Sequence, residues 1–362
     1  MTIRFGLIGC GYISRKHIQA LSNCEEAQLV ALSDLLEVRM EESKQFYQDN
    51  SGKTHPMKGY KNYEEMLSNQ EIDAIIITSI SGLHAQMAKA ALLSNKHVIL
   101  EKPMALSIEE SNELIQLAKQ KEKVLMVCHQ LRFRPLMQKI KKVVDEGKIG
   151  KPYLGVVSIR INRSQDYYSA ASWRGKWNSD GGMLINQGIH LVDLLQWFLG
   201  DVKTVYGEIC ENASAQKETE DIALGILNFQ NNAKGIVEAN IITQPDNLGY
   251  SLSIFGEKGT ISLKGGPTLN TISRWYIEGE NTSLEELIKL ADDGNEQIYM
   301  YQNFMEAINS DTQNLLISGE EGKKALETIF AIYQSDLTKQ VIQLPLSSFS
   351  TVNLIRKEGE TQ

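Results

Sequence analysis

The chain of 362 residues is 42% hydrophobic and 23% charged, with a formal net charge of −8; this is the make-up of a globular protein of about two domains. It carries no Lys/Arg block or basic stripe, which argues against a nucleic-acid partner. No apolar stretch reaches membrane-spanning length and Met1–Cys10 is too short an apolar run for a signal peptide, so a cytoplasmic protein is expected, in line with four cysteines that form no Cys-x-x-Cys pair.

The first third alternates short β-rich runs with helical patterns. Strands are expected at Ile3–Ile8, Leu29–Leu32, Ile72–Thr78, His97–Leu100 and Val124–Cys128. Helices are expected over Ser14–Cys24, about Val38–Tyr47 and His84–Leu93, and another starts at Ser107, which forms a capping box with Glu110. This alternation predicts an α/β domain over residues 1–130, built on a doubly wound parallel sheet. After Pro135 the rhythm changes. One helix, Leu136–Glu146, leads to longer β-rich runs at Tyr153–Ile161, Val202–Cys210, Ile222–Phe229, Gly235–Ile242 and Tyr250–Phe255. Asn231-Asn232 and Gly256–Gly259 read as turns between some of them, and helices are expected at Leu184–Phe198, about Tyr299–Asn309 and Glu320–Leu337. The pattern predicts an α+β second domain over residues 131–350 with a large, mostly antiparallel sheet. The last dozen residues are polar and are expected to fray.

Gly9-Cys10-Gly11-Tyr12-Ile13-Ser14 follows the first strand and opens a helix. Glycine allows a sharp turn and close backbone approach to a pyrophosphate, and the helix N-terminus offers N–H groups and a positive dipole end. Ser14 stands where a third glycine is usual. Asp34, at the end of the second strand, is placed to accept hydrogen bonds from a ribose diol and to repel a 2′-phosphate; the next arginine is Arg39, so NAD is expected rather than NADP. The candidate cofactor residues are thus Gly9, Gly11, Tyr12, Ile13 and Asp34. Thr78, Ser79 and Ser81, just past a strand's C-terminal end, and His84 beside them join the set, because open α/β sheets bind ligands at that edge. The plainer alternatives are an empty turn, a surface aspartate and hydroxyls that cap a helix.

Glu101-Lys102-Pro103 ends a strand at the same edge, where a lysine would point into the cleft; the alternative is an ordinary surface lysine. Further on, a Gly181-Gly182 turn runs into a helix in which Asn186 and His190, four apart, share a face, with Asp193 one turn beyond. Histidine can take a hydroxyl proton near neutral pH; the alternative is a histidine satisfied within a helix–sheet contact. His17 and His97 read as structural and His55 as a loop residue. No cluster has zinc-ligand spacing, so no metal is expected. The absence of a Gly-x-Ser-x-Gly elbow or a Walker loop argues against hydrolase or kinase chemistry.

Together the Gly9-x-Gly11 fingerprint, Glu101-Lys102-Pro103 and the run Asn186-Gln187-Gly188-Ile189-His190-x-x-Asp193 resemble the Gfo/Idh/MocA oxidoreductase family. The late segment Gly319–Gly322, Ala331-Ile332-Tyr333 and Leu344-Pro345-Leu346 is similar to that family's C-terminal pattern. Within the family, Arg163-Ser-Gln-Asp-Tyr167-Tyr168, Ser172-Trp173-Arg174-Gly175-Lys176-Trp177, Asn186-Gln187, Asn247-Leu248 and Gly256–Thr260 resemble UDP-N-acetylglucosaminuronate 3-dehydrogenases. The family usually has Asp where Asn186 stands, and much of it has Asn where Gln130 stands; both departures resemble the nucleotide-sugar branch.

The resemblance implies a Rossmann domain binding NAD, with Glu101, Lys102 and Gln130 added to the cofactor contacts. It implies a substrate site of Lys102, Arg163, Tyr167, Tyr168, Trp173, Arg174, Asn186, Gln187 and His190. The implied reaction is oxidation of the 3-hydroxyl of a UDP-N-acetylglucosaminuronate for bacterial surface polysaccharide, with a PLP-dependent aminotransferase downstream. A homotetramer associating partly through the second-domain sheet is also implied. In this reading His190 is the general base and Lys102 its electrostatic partner; the reverse stays open, because a desolvated lysine has a lowered pKa. Arg163 would grip a carboxylate or phosphate bidentately, the alternative being a solvated strand residue; Tyr167 and Tyr168 would line the sugar or nucleotide pocket, the alternative being simple packing; and Asn186 would orient without titrating. Two alternatives remain: an enzyme of the same fold acting on another sugar, sugar phosphate or inositol, and a non-enzymatic NAD-binding sensor, which would need neither Lys102 nor His190.

Overall fold

Runs such as Ala74–Ile77 and Val98–Leu100 are apolar at every position and buried throughout, as strands covered by helices on both faces must be. The computed structural model describes residues 2–211, 217–310 and 314–355. In it these runs belong to six strands: β1 (Ile3–Ile8), β2 (Ala27–Ser33), β3 (Lys58–Tyr60), β4 (Ala74–Ile77), β5 (His97–Leu100) and β6 (Leu125–Val127). All pair in parallel, in the order β3-β2-β1-β4-β5-β6. Helices α1 (Ser14–Ser22), α2 (Glu37–Ser51), α3 (Tyr63–Leu67), α4 (His84–Leu93) and α5 (Ile108–Gln120) make the connections. The chain winds outward from β1 through β2 and β3, then returns to β4 on the other side. A crevice at the carboxyl ends of β1 and β4 is the consequence, and such a switch point is where open sheets take ligands.

The chain forms two compact units. The first is drawn from the described residues of Met1–Ala105, Glu109–Gln130 and Asn295–Lys323; the second from those of Leu106–Ile108, Leu131–Gly294 and Lys324–Gln362. The second unit contains α6 (Pro135–Asp145), β7 (Pro152–Arg160), α7 (Gln165–Ser169) and α8 (Ile189–Leu199). Strands β8 (Val202–Cys210), β9 (Ile222–Phe229), β10 (Lys234–Asn240), β11 (Gly249–Gly256), β12 (Gly259–Gly265) and β13 (Thr271–Ile277) follow, then α9 (Leu284–Asp292). Helix α10 (Glu296–Asn309) returns to the first unit, α11 (Gly319–Thr338) begins there and ends in the second, and β14 (Ile342–Gln343) closes the second sheet. That sheet runs β13-β12-β11-β7-β10-β9-β8-β14, antiparallel except for the β7–β10 pair. Helix α8 lies on β7, where Gly155 leaves room for Leu195 and Leu199, and Ile332 of α11 covers Gly207 and Gly225. On the opposite face Leu224, Ile226, Ile236 and Phe255 are exposed.

Several elements go beyond the sequence pattern. β3 and α3 are too short for periodicity to register. β13 turns mostly exposed residues to both sides and buries only Ile277, so no alternation marks it. α9 carried a readable signal: Ser283 accepts from the Glu286 N–H at 3.5 Å, three residues on. The expectation of a frayed end is corrected for its described part. Thr351–Leu354 forms a short 3-10 turn, and the buried Thr351 hydroxyl donates to the Trp177 carbonyl at 2.6 Å. The polar tail from residue 356 onward lies outside the described residues. Among the described residues no helix is long and apolar enough to cross a membrane.

Candidate active site

At the carboxyl end of β1 the backbone of Gly9 has φ +92°, and a Cβ there would lie 2.9 Å from the Ser79 N and the Thr78 carbonyl. Only glycine lets the ends of β1 and β4 approach this closely. A Cβ on Gly11 would meet nothing within 4 Å, so the turn is open where a ligand's backbone contact would fall. Ile13 immediately precedes α1, and Tyr12 is 87% exposed. The Ser14 hydroxyl folds back to donate to the Gly11 carbonyl at 2.6 Å, doing for the turn what a third glycine would do by lacking a side chain. Burial pushes the Cys10 thiol up to about 12, so no thiolate charge opposes an anion here. Asp34 accepts from the Cys10 N–H at 2.8 Å through Oδ2 and from the Leu36 N–H at 2.9 Å through Oδ1. A carboxylate has further lone pairs, so the side chain is fixed and still able to accept from a diol. Gln130 has a buried Oε1 with no hydrogen-bond partner among the described residues, an acceptor that waits for a donor. These features fit a dinucleotide.

Other expected cofactor residues are engaged inside the protein. The Thr78 hydroxyl donates to the Ile8 and Gly9 carbonyls, at 3.1 and 2.6 Å, and is 5% exposed; it ties β4 to the glycine turn. The Ser79 hydroxyl donates to the neighbouring Ile80 carbonyl at 3.5 Å, while Ser81 opens a short 3-10 turn. His84 is 1% exposed, with Nδ1 at 2.7 Å from the Pro103 carbonyl and Nε2 at 3.1 Å from the Ser79 carbonyl. Burial holds its pKa below the usual imidazole range. Its ring thus lies between the Ser79 and Pro103 backbone segments.

Glu101 is also turned inward. Its Oε1 lies 2.9 Å from His17 Nε2, and Oε2 accepts the Lys102 N–H at 3.1 Å. His17, 0% exposed, has Nδ1 at 2.8 Å from the Tyr301 hydroxyl of α10. Lys102 itself is half-buried, and the Lys102–Pro103 peptide is cis. His17, Glu101 and Cys128 hold their ligand-type atoms within 4.8 Å of one another; a metal there would have to displace the His17–Glu101 hydrogen bond.

In the second unit the turn Gly181-Gly182, with φ +84° and +107°, leads to Leu184–Gly188. This is a π-helical turn rather than the first turn of an α-helix, and α8 starts only at Ile189. The four-residue spacing of Asn186 and His190 therefore does not carry the α-helical face relation expected from sequence. Single π-turns of this kind recur at functional sites. The Asn186 amide donates to Asp180 Oδ1, and Asp180 Oδ2 accepts the Gly175 N–H at 2.8 Å. Glu220, fully buried, accepts from the Leu184 N–H at 2.8 Å and the Tyr333 hydroxyl at 2.6 Å, both through Oε1. Its Oε2 has no hydrogen-bond partner among the described residues, and burial pushes its pKa up to about 7. Asp193 is held by Arg132 in a buried bidentate pair, at 2.9 and 2.7 Å; loss of one partner from such a pair costs about 3–5 kcal/mol. Asp180, Glu220 and Arg132 were not singled out by sequence. A signal existed only for Glu220, an acidic residue heading an apolar strand.

Beside the π-turn, the Arg163 guanidinium lies 5.1 Å and that of Arg174 4.2 Å from the Tyr167 ring. Arg163 donates to the Asn162 carbonyl at 2.7 Å and to Gln187 Oε1 at 3.1 Å. Arg174 donates to the Tyr167 carbonyl at 2.8 Å and stacks 5.5 Å from Trp173. Gln187 in turn donates to the Tyr167 hydroxyl at 3.1 Å. The Nε atoms of both arginines are buried with no hydrogen-bond partner among the described residues. The cluster thus brings Arg163, Tyr167, Trp173, Arg174, Asn186 and Gln187 together around two cations suited to an anion. Tyr168 packs edge-on to Tyr167 with centroids 5.2 Å apart and is 9% exposed; it supports the cluster from below.

Residues 3–129 match a family model described as an oxidoreductase family with an NAD-binding Rossmann fold, and residues 137–262 match the GFO/IDH/MocA C-terminal domain. A myo-inositol 2-dehydrogenase of Thermotoga maritima is 24% identical over 361 residues, covering 94% of this chain and 98% of that protein. WlbA dehydrogenases of Chromobacterium violaceum and Bordetella pertussis, both solved in complex with NADH and UDP-GlcNAcA, are similar in structure with a TM-score of 0.86. They are 31% and 32% identical to this chain, covering 96% of it and 97% and 99% of their own chains.

The buried Glu220 makes the stability of the second unit pH-dependent. Its folded pKa, about 7, lies above the 4.5 of an unfolded carboxyl. Between these values the folded state keeps a proton that the unfolded chain has lost, so stability is fully present below about pH 4.5 and falls as pH rises to about 7. The loss is on the order of 3 kcal/mol. Urea denaturation from pH 5 to 7.5 should show this decline in the native protein and a flatter profile in Glu220→Gln; equal slopes would refute it.

Proposed function

Because the chain belongs to the Gfo/Idh/MocA oxidoreductase family, we propose that it oxidises the 3-hydroxyl of UDP-N-acetylglucosaminuronic acid to the 3-keto sugar. The observation that carries this reading is the likeness, over 96% of the chain, to two dehydrogenases solved with NADH and UDP-GlcNAcA. The arginine pair around Tyr167 supports it, since a uronate linked to a diphosphate is an anion at both ends. NAD, held by the Gly9–Ile13 turn and Asp34, would supply the acceptor for the C3 hydride. His190 removes the C3 hydroxyl proton, and the Lys102 ammonium stabilises the developing alkoxide; the opposite division of labour gives the same products. Arg163 and Arg174 grip the acidic groups, Gln187 and Asn186 orient the sugar, and Asp34 holds the ribose diol. The keto product is a substrate for a PLP-dependent aminotransferase. Unpaired cysteines, three of them buried, suit a cytoplasmic setting. A second reading, oxidation of an inositol, is favoured by the full-length match to a myo-inositol 2-dehydrogenase.

Incubation of the protein with NAD and UDP-N-acetylglucosaminuronic acid, with a coupled aminotransferase to draw off the ketone, should give the loss of two hydrogens by mass spectrometry. Turnover of myo-inositol with none of the nucleotide sugar would favour the second reading. Lys102→Ala should lower kcat by about 10²–10³-fold and His190→Ala by about 10²-fold, with NAD still bound; full turnover in either variant refutes its role.

Asp34→Ala should weaken NAD about tenfold or more, the worth of a charged hydrogen bond, and narrow the preference over NADP. An unchanged preference removes Asp34 from the ribose site.

The exposed Leu224, Ile226, Ile236 and Phe255 share their sheet face with the Arg160–Glu238 ion pair, a mixture of apolar and opposite charges that can pair with a second copy of itself. Light scattering should report a tetramer, and Leu224→Glu with Ile226→Glu should yield smaller species. A monomeric native protein would exclude this face as an interface.

A further inference from the structure

We propose that two buried histidines outside the reacting groups, His17 and His84, are positioning residues that clasp the Glu101–Pro103 turn from both ends and thereby set Lys102. The inference rests on the role given to Lys102 above. At one end His17 Nε2 lies 2.9 Å from Glu101 Oε1, and Glu101 Oε2 accepts the Lys102 N–H at 3.1 Å. At the other, His84 Nδ1 lies 2.7 Å from the Pro103 carbonyl, while its Nε2 faces the Ser79 carbonyl at 3.1 Å. His17 is 0%, His84 1% and Glu101 6% exposed, so water does not compete for these bonds.

The hydrogen-bonding roles are consistent. A carboxylate only accepts, so His17 donates to Glu101 from Nε2, and its Nδ1 shares a hydrogen bond with the Tyr301 hydroxyl at 2.8 Å. Burial pushes Tyr301 well above the usual phenol range, which keeps its hydroxyl protonated and able to donate. His84 is neutral by burial and has one N–H, which the shorter contact assigns to Pro103. The clasp reaches further than the turn. His17 is on α1, one turn after the glycine loop, and Ser79 follows β4, beside Gly9. The same two side chains therefore tie the lysine turn to both backbone segments that frame the dinucleotide crevice. A reacting group misplaced by about 1 Å loses on the order of 10²-fold in rate, so the placement of the turn that carries Lys102 bears directly on turnover.

The test uses His17→Leu and His84→Leu, with His17→Gln and His84→Asn as conservative variants that keep a donor at the Nε2 and Nδ1 positions. Hydrogen exchange by mass spectrometry, which needs no turnover, should show faster exchange of the peptide covering residues 101–103 in both leucine variants. β1 should stay protected, and the Gln and Asn variants should recover. Unchanged exchange of the turn overturns the clasp. With NAD and UDP-N-acetylglucosaminuronic acid, the leucine variants should lose about 10²-fold in kcat and bind NAD, by fluorescence titration, within about threefold of the native protein. In a Lys102→Ala background they should cost nothing more, because residues acting through one group are not additive; an additive loss overturns action through Lys102. Full turnover by Lys102→Ala alone would remove the catalytic reading of Lys102 and leave the exchange result to judge the clasp. If the leucine variants fail to fold, Glu101→Gln keeps an acceptor for His17 and removes the one for the Lys102 N–H; the turn should then exchange faster, and normal exchange overturns the proposal.

Discussion

A carboxyl group taken out of water is tolerated only where donors meet it, and in this chain some of those donors, the Lys102 N–H, the Leu184 N–H and the Asn186 amide, sit on the segments that carry the candidate reactive side chains. Glu101 meets His17 and the Lys102 N–H; Asp180 meets Asn186 and the Gly175 N–H; Glu220 meets the Leu184 N–H and Tyr333; Asp193 meets Arg132. Each acid sits behind a loop or helix start rather than in the open. Their shared effect is to make irregular backbone rigid: the turn after β5, the loop before Gly181 and the π-turn that opens α8. Surfaces of this kind hold a side chain in one geometry because breaking a bond strands a buried polar or charged group.

The dinucleotide edge follows a different logic. There the backbone does the work, through the close approach of β1 and β4 at Gly9 and the open face of Gly11. Side chains assist by staying small or by bonding back to the turn, as Ser14 and Thr78 do. Asp34 is the exception, a charge fixed by two N–H groups at the end of β2. Parallel pairing brings every strand's carboxyl end to one edge, so residues distant in sequence, 9, 34, 78 and 102, are delivered to that edge by topology alone.

The arginine cluster shows how the segments around the short helix α7 acquire order. Arg163 and Arg174 stack on one tyrosine and donate to carbonyls and to Gln187. Their planar cations spend some donors on the protein and retain others, including both Nε groups. That division suits a site that must be rigid before an anionic ligand arrives, since less entropy is then lost on binding.

The parallel sheet, β3 apart, was legible in sequence because its strands are short, mostly apolar and separated by helical periods, and Gly9, Gly11, Asp34, Lys102 and His190 stood out by residue type and place. The second sheet was legible where alternation marks a buried face, at β7 to β11, and illegible at β13, which has almost none to bury. The roles of Thr78, His84 and Glu101 were not: each is a polar residue at the right edge, and only packing decides whether it faces a ligand or its own backbone. The π-turn and the partners of Asp180 and Glu220 were hidden for the same reason. Sequence alone determined most of the long strands and helices, and which residue types stand at their ends, because periodicity and turn chemistry are local. Tertiary structure decided which of those polar side chains are spent inside the protein, because hydrogen-bond partners 84 and 284 residues away, such as His17 with Glu101 and with Tyr301, leave no mark on local pattern.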